Sequence, residues 1–141
     1  MAEYTNIALQ SVLTNQNVLF TETPVCSNNF NITHRDGSGI IILKGNTNQC
    51  RALYKVSFGG NIAVPTGGTA GAISIAIALE GEALASATAT VTPAAVEEFF
   101  NVYTSVFVSV PKDCCMTVAV ENVSTQTISV QNANLIVERV C

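Results

Sequence analysis

The chain has 141 residues, of which ten are acidic and six basic, giving a net charge of −4; charged residues make up 11% and hydrophobic ones 48%. That length suits one domain with a core of its own. The six cations, Arg35, Lys44, Arg51, Lys55, Lys112 and Arg139, are scattered along the sequence, whereas a nucleic-acid site needs a concentrated positive field, so no nucleic-acid partner is expected.

No apolar run is long enough to cross a bilayer as a helix, so no membrane insertion is expected. Met1 to Gln10 carries Glu3 and no basic segment ahead of an apolar core, so the sequence reads as having no signal peptide. Charged residues usually approach a quarter of a globular chain. Their scarcity implies a surface of Asn, Thr, Ser and Gln, partly hidden in an oligomer.

In chain order, Ile7 to Leu9 and Val12 to Phe20 supply the first apolar stretches, with a strand expected over Asn17 to Thr23. Pro24 should end it, because proline donates nothing to a ladder. Asn28-Asn29 reads as a turn. Phe30, Ile32 and His34 then alternate as a strand, and Asp36-Gly37-Ser38-Gly39 turns the chain into an apolar strand over Gly39 to Lys44.

Arg51 to Val64 forms the next long strand, with Leu53, Lys55 and Ser57 on one face and Tyr54, Val56 and Phe58 on the other. Gly59-Gly60 marks either a bulge or a close backbone approach. Pro65 to Gly71 is a turn. Ile73, Ile75, Ile77 and Leu79 fall two apart, Glu80-Gly81-Glu82 makes a tight hairpin, and Ala83 to Thr92 returns.

Pro93 to Phe100 has the composition of a helical first turn, with Glu97 and Glu98 inside it, but Phe100 runs straight into a β-rich stretch, which weighs against a helix. Val102 to Val110 is β-rich, Pro111-Lys112-Asp113 turns, and Cys115 to Asn122 returns. Thr127 to Val130 and Asn134 to Val140 close the chain as two strands. The total of about eight to ten strands at regular spacing indicates an all-β, antiparallel sandwich or jelly roll. Residues 1–25 read as an N-terminal strand or anchoring segment and 26–141 as the main domain, with no linker to divide one continuous unit.

Chemistry-bearing clusters are sparse. His34 is the sole histidine and reads as a solvent-facing or cross-strand residue. Glu80 with Glu82, and Glu97 with Glu98, pair carboxylates but read as solvation of turns rather than as a hydrolase pair. Asp36 has no spaced acidic partners for calcium, and Gly67 to Gly71 has no lysine for a phosphate loop. No catalytic residue, metal site or cofactor is expected.

Five cysteines, Cys26, Cys50, Cys114, Cys115 and Cys141, leave at least one thiol unpaired within a chain. Most read as reduced small hydrophobes, and Cys141 as a candidate for an intermolecular disulfide. Asn31-Ile32-Thr33 and Asn122-Val123-Ser124 match the glycosylation pattern, but the expected absence of a signal peptide argues against its use.

The stretch Cys50 to Phe58 resembles the central strand of C1q/TNF-like jelly rolls. Ile73 to Leu84 is similar to the strand-turn of that fold as found in bacterial and phage proteins, as are Val108 to Asn122 and the closing Asn132 to Val140. The resemblance covers most of residues 30–140 and implies a homotrimer with sheets packed around a threefold axis. It places Tyr54, Val56, Phe58, Phe107 and Val137 in the core or at the subunit interface, with Tyr103 as a further large residue there. The Gly-X-Y tract of stalked relatives is missing, which favours a free-standing trimer or one anchored through residues 1–25.

The reading is therefore a structural protein, a trimeric component of a virion (decoration or fibre) or of a spore surface, with other particle proteins as partners. The alternative is a carbohydrate or receptor binding module on a cell or virion surface, contacting a surface glycan through loops Asp36 to Gly39, Pro65 to Gly71 and Glu80 to Glu82. The absence of tryptophan weighs against that alternative.

Overall fold

Period-two alternation sets the architecture. In the longest strand, Arg51 to Ala63, the side chains of Ala52, Tyr54, Val56, Phe58 and Ile62 are buried while Lys55, Ser57 and Asn61 between them are half-buried on the other side. One face of each such strand must find an apolar partner, and two sheets meeting face to face supply it.

The computed structural model describes residues 1–25 and 31–140; Cys26, the expected turn at Asn28-Asn29, Phe30 and Cys141 lie outside them. The described residues form eleven strands: β1 (Ala2–Asn6), β2 (Gln10–Val12), β3 (Glu22–Val25), β4 (Ile32–His34), β5 (Ile41–Lys44), β6 (Arg51–Ala63), β7 (Ile73–Leu79), β8 (Glu82–Val91), β9 (Phe100–Pro111), β10 (Cys115–Asn122) and β11 (Ile128–Arg139). One sheet runs β3-β1-β11-β6-β9, with β2 also on β11; the other runs β4-β5-β10-β7-β8.

The pairings nest. β7 and β8 form a hairpin about Glu80 and Gly81, both at positive φ. Outside it β6 pairs with β9, then β5 with β10, then β1 with β11, each antiparallel and in alternate sheets. A long hairpin rolled on itself in this way is a jelly roll. Between its sheets lie Tyr54, Phe20 and Phe58, the largest fully buried side chains, with Ile41, Leu43, Ile73, Ile75, Ile77 and Leu135 around them. Phe20 meets Phe58 edge to face at 6.4 Å, a favoured aromatic geometry.

Several expectations are corrected. Pro24 does not end a strand but sits inside β3, which pairs only with β1 at the sheet edge, where a missing N–H donor is tolerated. The segment before it, Asn17 to Phe20, makes an isolated bridge to Glu121 and then crosses between the sheets: Val18 N donates to Val120 O (2.8 Å) and Thr21 N to Thr5 O (3.1 Å). Pro93 to Phe99 forms no helix, in keeping with its direct run into β9; Glu97 takes φ 60° and its N–H is drawn to Val64 O at 2.6 Å. The last two expected strands are one, β11, with a register shift between Gln131 and Asn134 where Asn132 takes φ 55°. That irregularity faces Gly60, whose notional Cβ would lie 3.4 Å from the Ala133 backbone and 3.2 Å from the Phe58 ring. The glycine pair thus marks a close approach in an unbroken β6, and the bulge belongs to its partner.

Candidate functional site

The outer face of the six-stranded sheet is the surface the fold displays most distinctively. In β9 the residues Val102, Thr104, Val108 and Val110 turn inward, so Tyr103, Ser105, Phe107 and Ser109 turn out. Tyr103 and Phe107 are 63% and 60% exposed. Across β9, β6, β11 and β1 the outward residues form rows: Phe107 beside Lys55 and Glu138; Ser105 beside Ser57, Ile136 and Glu3; Tyr103 beside Gly59, Asn134 and Thr5. Next to β9 the face is built of the small residues Ser57 and Gly59 on β6, and two aromatic side chains stand beside them on β9.

Tyr103 is held in place. Its ring lies over Gly59, with ring carbon Cδ2 4.0 Å from where a Cβ would stand. Hydrogen bonding with Ser57, then with Ser105, holds the phenol below its ordinary pKa, and the two serine hydroxyls are themselves 3.1 Å apart. The ring is thus presented beside a glycine, where no neighbouring Cβ on β6 obstructs it.

Of the five residues expected in the core or at an interface, Tyr54, Val56, Phe58 and Val137 are fully buried between the sheets, and Phe107 stands on the outer face with Tyr103. Tyr54 donates its hydroxyl to Lys44 O at 2.6 Å. Burial pushes its pKa up, partly offset by Arg139, whose guanidinium lies 5.9 Å from the ring centre. The signal for Tyr103 and Phe107 was present in β9: with its valines inward on even positions, odd-numbered aromatics must face out.

Other candidates have structural explanations. The His34 side chain is buried rather than solvent-facing. Its Nε2–H donates to Ser38 O at 2.8 Å, its ring centre is 4.5 Å from that of Tyr4, and Nδ1 lies 4.0 Å from the Asp36 carboxylate. Glu80 accepts from Thr117 N at 2.7 Å, and Glu97 accepts from the Thr66 hydroxyl; these carboxylates brace turns. Among the described residues, no three His, Cys, Asp or Glu side chains assemble a metal-binding group. Loops 65–71 and 80–82 flank opposite ends of β7 and so cannot share one ligand. Near the first, Ser11, Pro65, Thr66, Gly67, Gly68, Thr69, Gln126 and Thr127 line an open depression of about 530 Å³.

Asn122 is fully buried. Its Nδ2 donates to Val12 O (2.9 Å) and Gln126 O (3.0 Å), and its Oδ1 accepts from Ser124 N (2.9 Å). The side chain is unavailable to a glycan, which removes one of the two acceptor matches on geometric grounds.

No family model and no curated protein matches the chain. Among solved structures it is similar to the globular domain of a zebrafish complement 1qA protein, with TM-score 0.54 and 11% identity over 96% of this chain and 94% of that one. The fold is a C1q/TNF-like jelly roll. A β-glucosidase from Paenibacillus barengoltzii aligns with 70% of this chain and 9% of its own length at 10% identity and TM-score 0.39, too distant to carry an argument. At 11% identity the likeness of the C1q/TNF-like jelly roll is one of architecture alone; its function rests on the surfaces described above.

Proposed function

We propose that this C1q/TNF-like jelly roll is a structural, self-assembling module: a homotrimeric component of an extracellular particle, a virion decoration or fibre protein or a spore-surface protein. The observation that carries the reading is the outer face of the six-stranded sheet. There Tyr103 and Phe107 project at the edge of a shallow floor of Ser57, Ser105 and Gly59. Interfaces are enriched in aromatic residues and depleted of charge at their centres. Lys55 and Glu138 lie in the flanking row and Glu3 at the far β1 end of the serine row, while the strip of Tyr103, Ser105, Ser57 and Gly59 carries no charge, which makes it the candidate centre of an interface. A cyclic assembly sets the β9 edge of one copy against the sheet face of the next, closing the ring without leaving a sticky surface.

Size-exclusion chromatography of the purified chain tests the reading. A species of three times 14.8 kDa is expected, and elution as a monomer at working concentrations would overturn it. A second reading, a glycan or receptor binding module, is favoured by the polar, uncharged depression around Thr66, Thr69 and Gln126. Loss of glycan or cell-surface binding in a Thr69→Trp variant, with assembly retained, would establish that reading instead.

A further inference from the structure

We propose that the end of the sandwich bearing Cys50, Cys114 and Cys115 is a covalent junction, where disulfides join this chain to further copies of itself. Cysteine is among the most buried residue types, yet all three of these thiols are free and exposed. They share one end of the molecule. Cys50 closes the loop between β5 and β6, while Cys114 and Cys115 lie where the β9–β10 turn enters β10.

The two loops are tied together by backbone hydrogen bonds: Lys112 N to Cys50 O (2.9 Å), Gly45 N to Cys114 O (2.8 Å) and Asp113 N to Gly45 O (3.0 Å). Gly45 is indispensable to this contact, since a Cβ there would stand 1.9 Å from Pro111 O. The thiols are thus displayed from a fixed platform rather than from loose loops. Beside them Lys44, Gly45, Asn46, Asp113, Cys114 and Cys115 line an open notch of about 180 Å³.

Geometry directs the pairing outward. Cys114 and Cys115 are both free, and consecutive Cα atoms, about 3.8 Å apart, lie short of the roughly 4.4–6.8 Å that a disulfide usually spans, which disfavours a bridge between them. If either pairs with Cys50, the other still has no partner within this group of three. The identity of the partner as a second copy rests on the self-assembly reading above. In a cyclic assembly symmetry sets the corresponding thiols of all copies at one level along the axis, where they are available to a second assembly.

The oxidant is a low-molecular-weight disulfide. A cysteine thiolate of one copy attacks it, forming a mixed disulfide and releasing one small thiol. A thiolate of a second copy then displaces the other small thiol. The protein gains one interchain S–S bond, and the two electrons and two protons leave with the two small thiols.

The test uses the full chain oxidised with glutathione disulfide, quenched by alkylation and run on a denaturing gel. Bands at multiples of the chain mass, collapsing to one band with reductant, are expected for the native sequence and for Cys26→Ser/Cys141→Ser. They should be lost in Cys50→Ser/Cys114→Ser/Cys115→Ser. In parallel, an equal mixture of isotopically light and heavy chains is oxidised and mapped by mass spectrometry. Mixed-label disulfide peptides containing Cys50, Cys114 or Cys115 support the junction even if the triple variant does not fold. A single monomer band, a ladder that persists in the folded triple variant, or interchain links confined to Cys26 and Cys141 would each overturn it. Chromatography under reducing conditions reports the trimer separately, so the two readings fail independently.

Discussion

Tyr103 lies across Gly59, its cross-strand partner on β6, with ring carbon Cδ2 4.0 Å from where a glycine Cβ would stand. A glycine in a strand interior forfeits side-chain packing, and here a neighbouring ring covers it. The same ring stays 63% exposed and so remains open to a partner.

Replacing Tyr103 and Phe107 together by glutamate should dissociate the assembly while leaving the fold intact. Both side chains are exposed in the single chain; losing Phe107 there costs about 0.5 kcal/mol or less, and losing the ring beside Gly59 about 0.2–1 kcal/mol, too little to unfold the domain. Light scattering should give the single-chain mass, with an unchanged far-ultraviolet circular dichroism spectrum.

Phe58→Ala should act in the opposite sense. Phe58 is fully buried, meets Phe20 edge to face and packs under Gly60. Removing a core phenylalanine costs about 3–5 kcal/mol through lost transfer energy and the cavity left behind. Denaturant unfolding of the dissociated chain should show a lower midpoint at an unchanged slope.

Asn122→Ala strands the Val12 and Gln126 carbonyls and the Ser124 N–H, all of which the Asn122 side chain serves. Each buried group left unsatisfied costs about 1–3 kcal/mol, so this change should rank with the core substitution. A melting temperature close to that of the native chain would contradict the assigned hydrogen bonds.

The tyrosines should titrate apart. Tyr103 is held below the ordinary phenol value of 10.0 by Ser57 and Ser105, and Tyr54 is raised above it by burial. Because the neutral Tyr54 phenol is favoured in the folded state, its contribution to stability is full below pH 10.0 and is lost as pH rises through the folded pKa. Tyr103 has the reverse sign: its contribution exists above 10.0 and disappears as pH falls through its lowered folded value. Ultraviolet titration of a Phe107→Glu chain, which keeps Tyr103 while placing a charge at the interface, should show an early phenolate step absent when Tyr103→Phe is added and a late one absent when Tyr54→Phe is added.

Much of this architecture was legible in local pattern. The alternation of Tyr54, Val56 and Phe58 against Lys55 and Ser57, and the Glu80-Gly81 turn between β7 and β8, follow from residue types at period two. Contacts between distant segments were not legible. Pro24 is acceptable because β3 is an edge, which depends on the β1 pairing order. The segment at 93–100 avoids helix because Val64 O captures Glu97 N. His34 is enclosed by Tyr4 and Phe20, thirty and fourteen residues earlier in the chain. At the candidate site, the outward position of Phe107 followed from the inward valines of β9, whereas the cover Tyr103 gives Gly59 required the β6–β9 register.

Multi-angle light scattering of the native chain over a dilution series in reducing buffer, where no disulfide can hold copies together, tests self-assembly most directly. The account predicts a constant mass of three times 14.8 kDa that falls to 14.8 kDa in the Tyr103→Glu/Phe107→Glu variant. A native chain that scatters as a single copy at every concentration would contradict it.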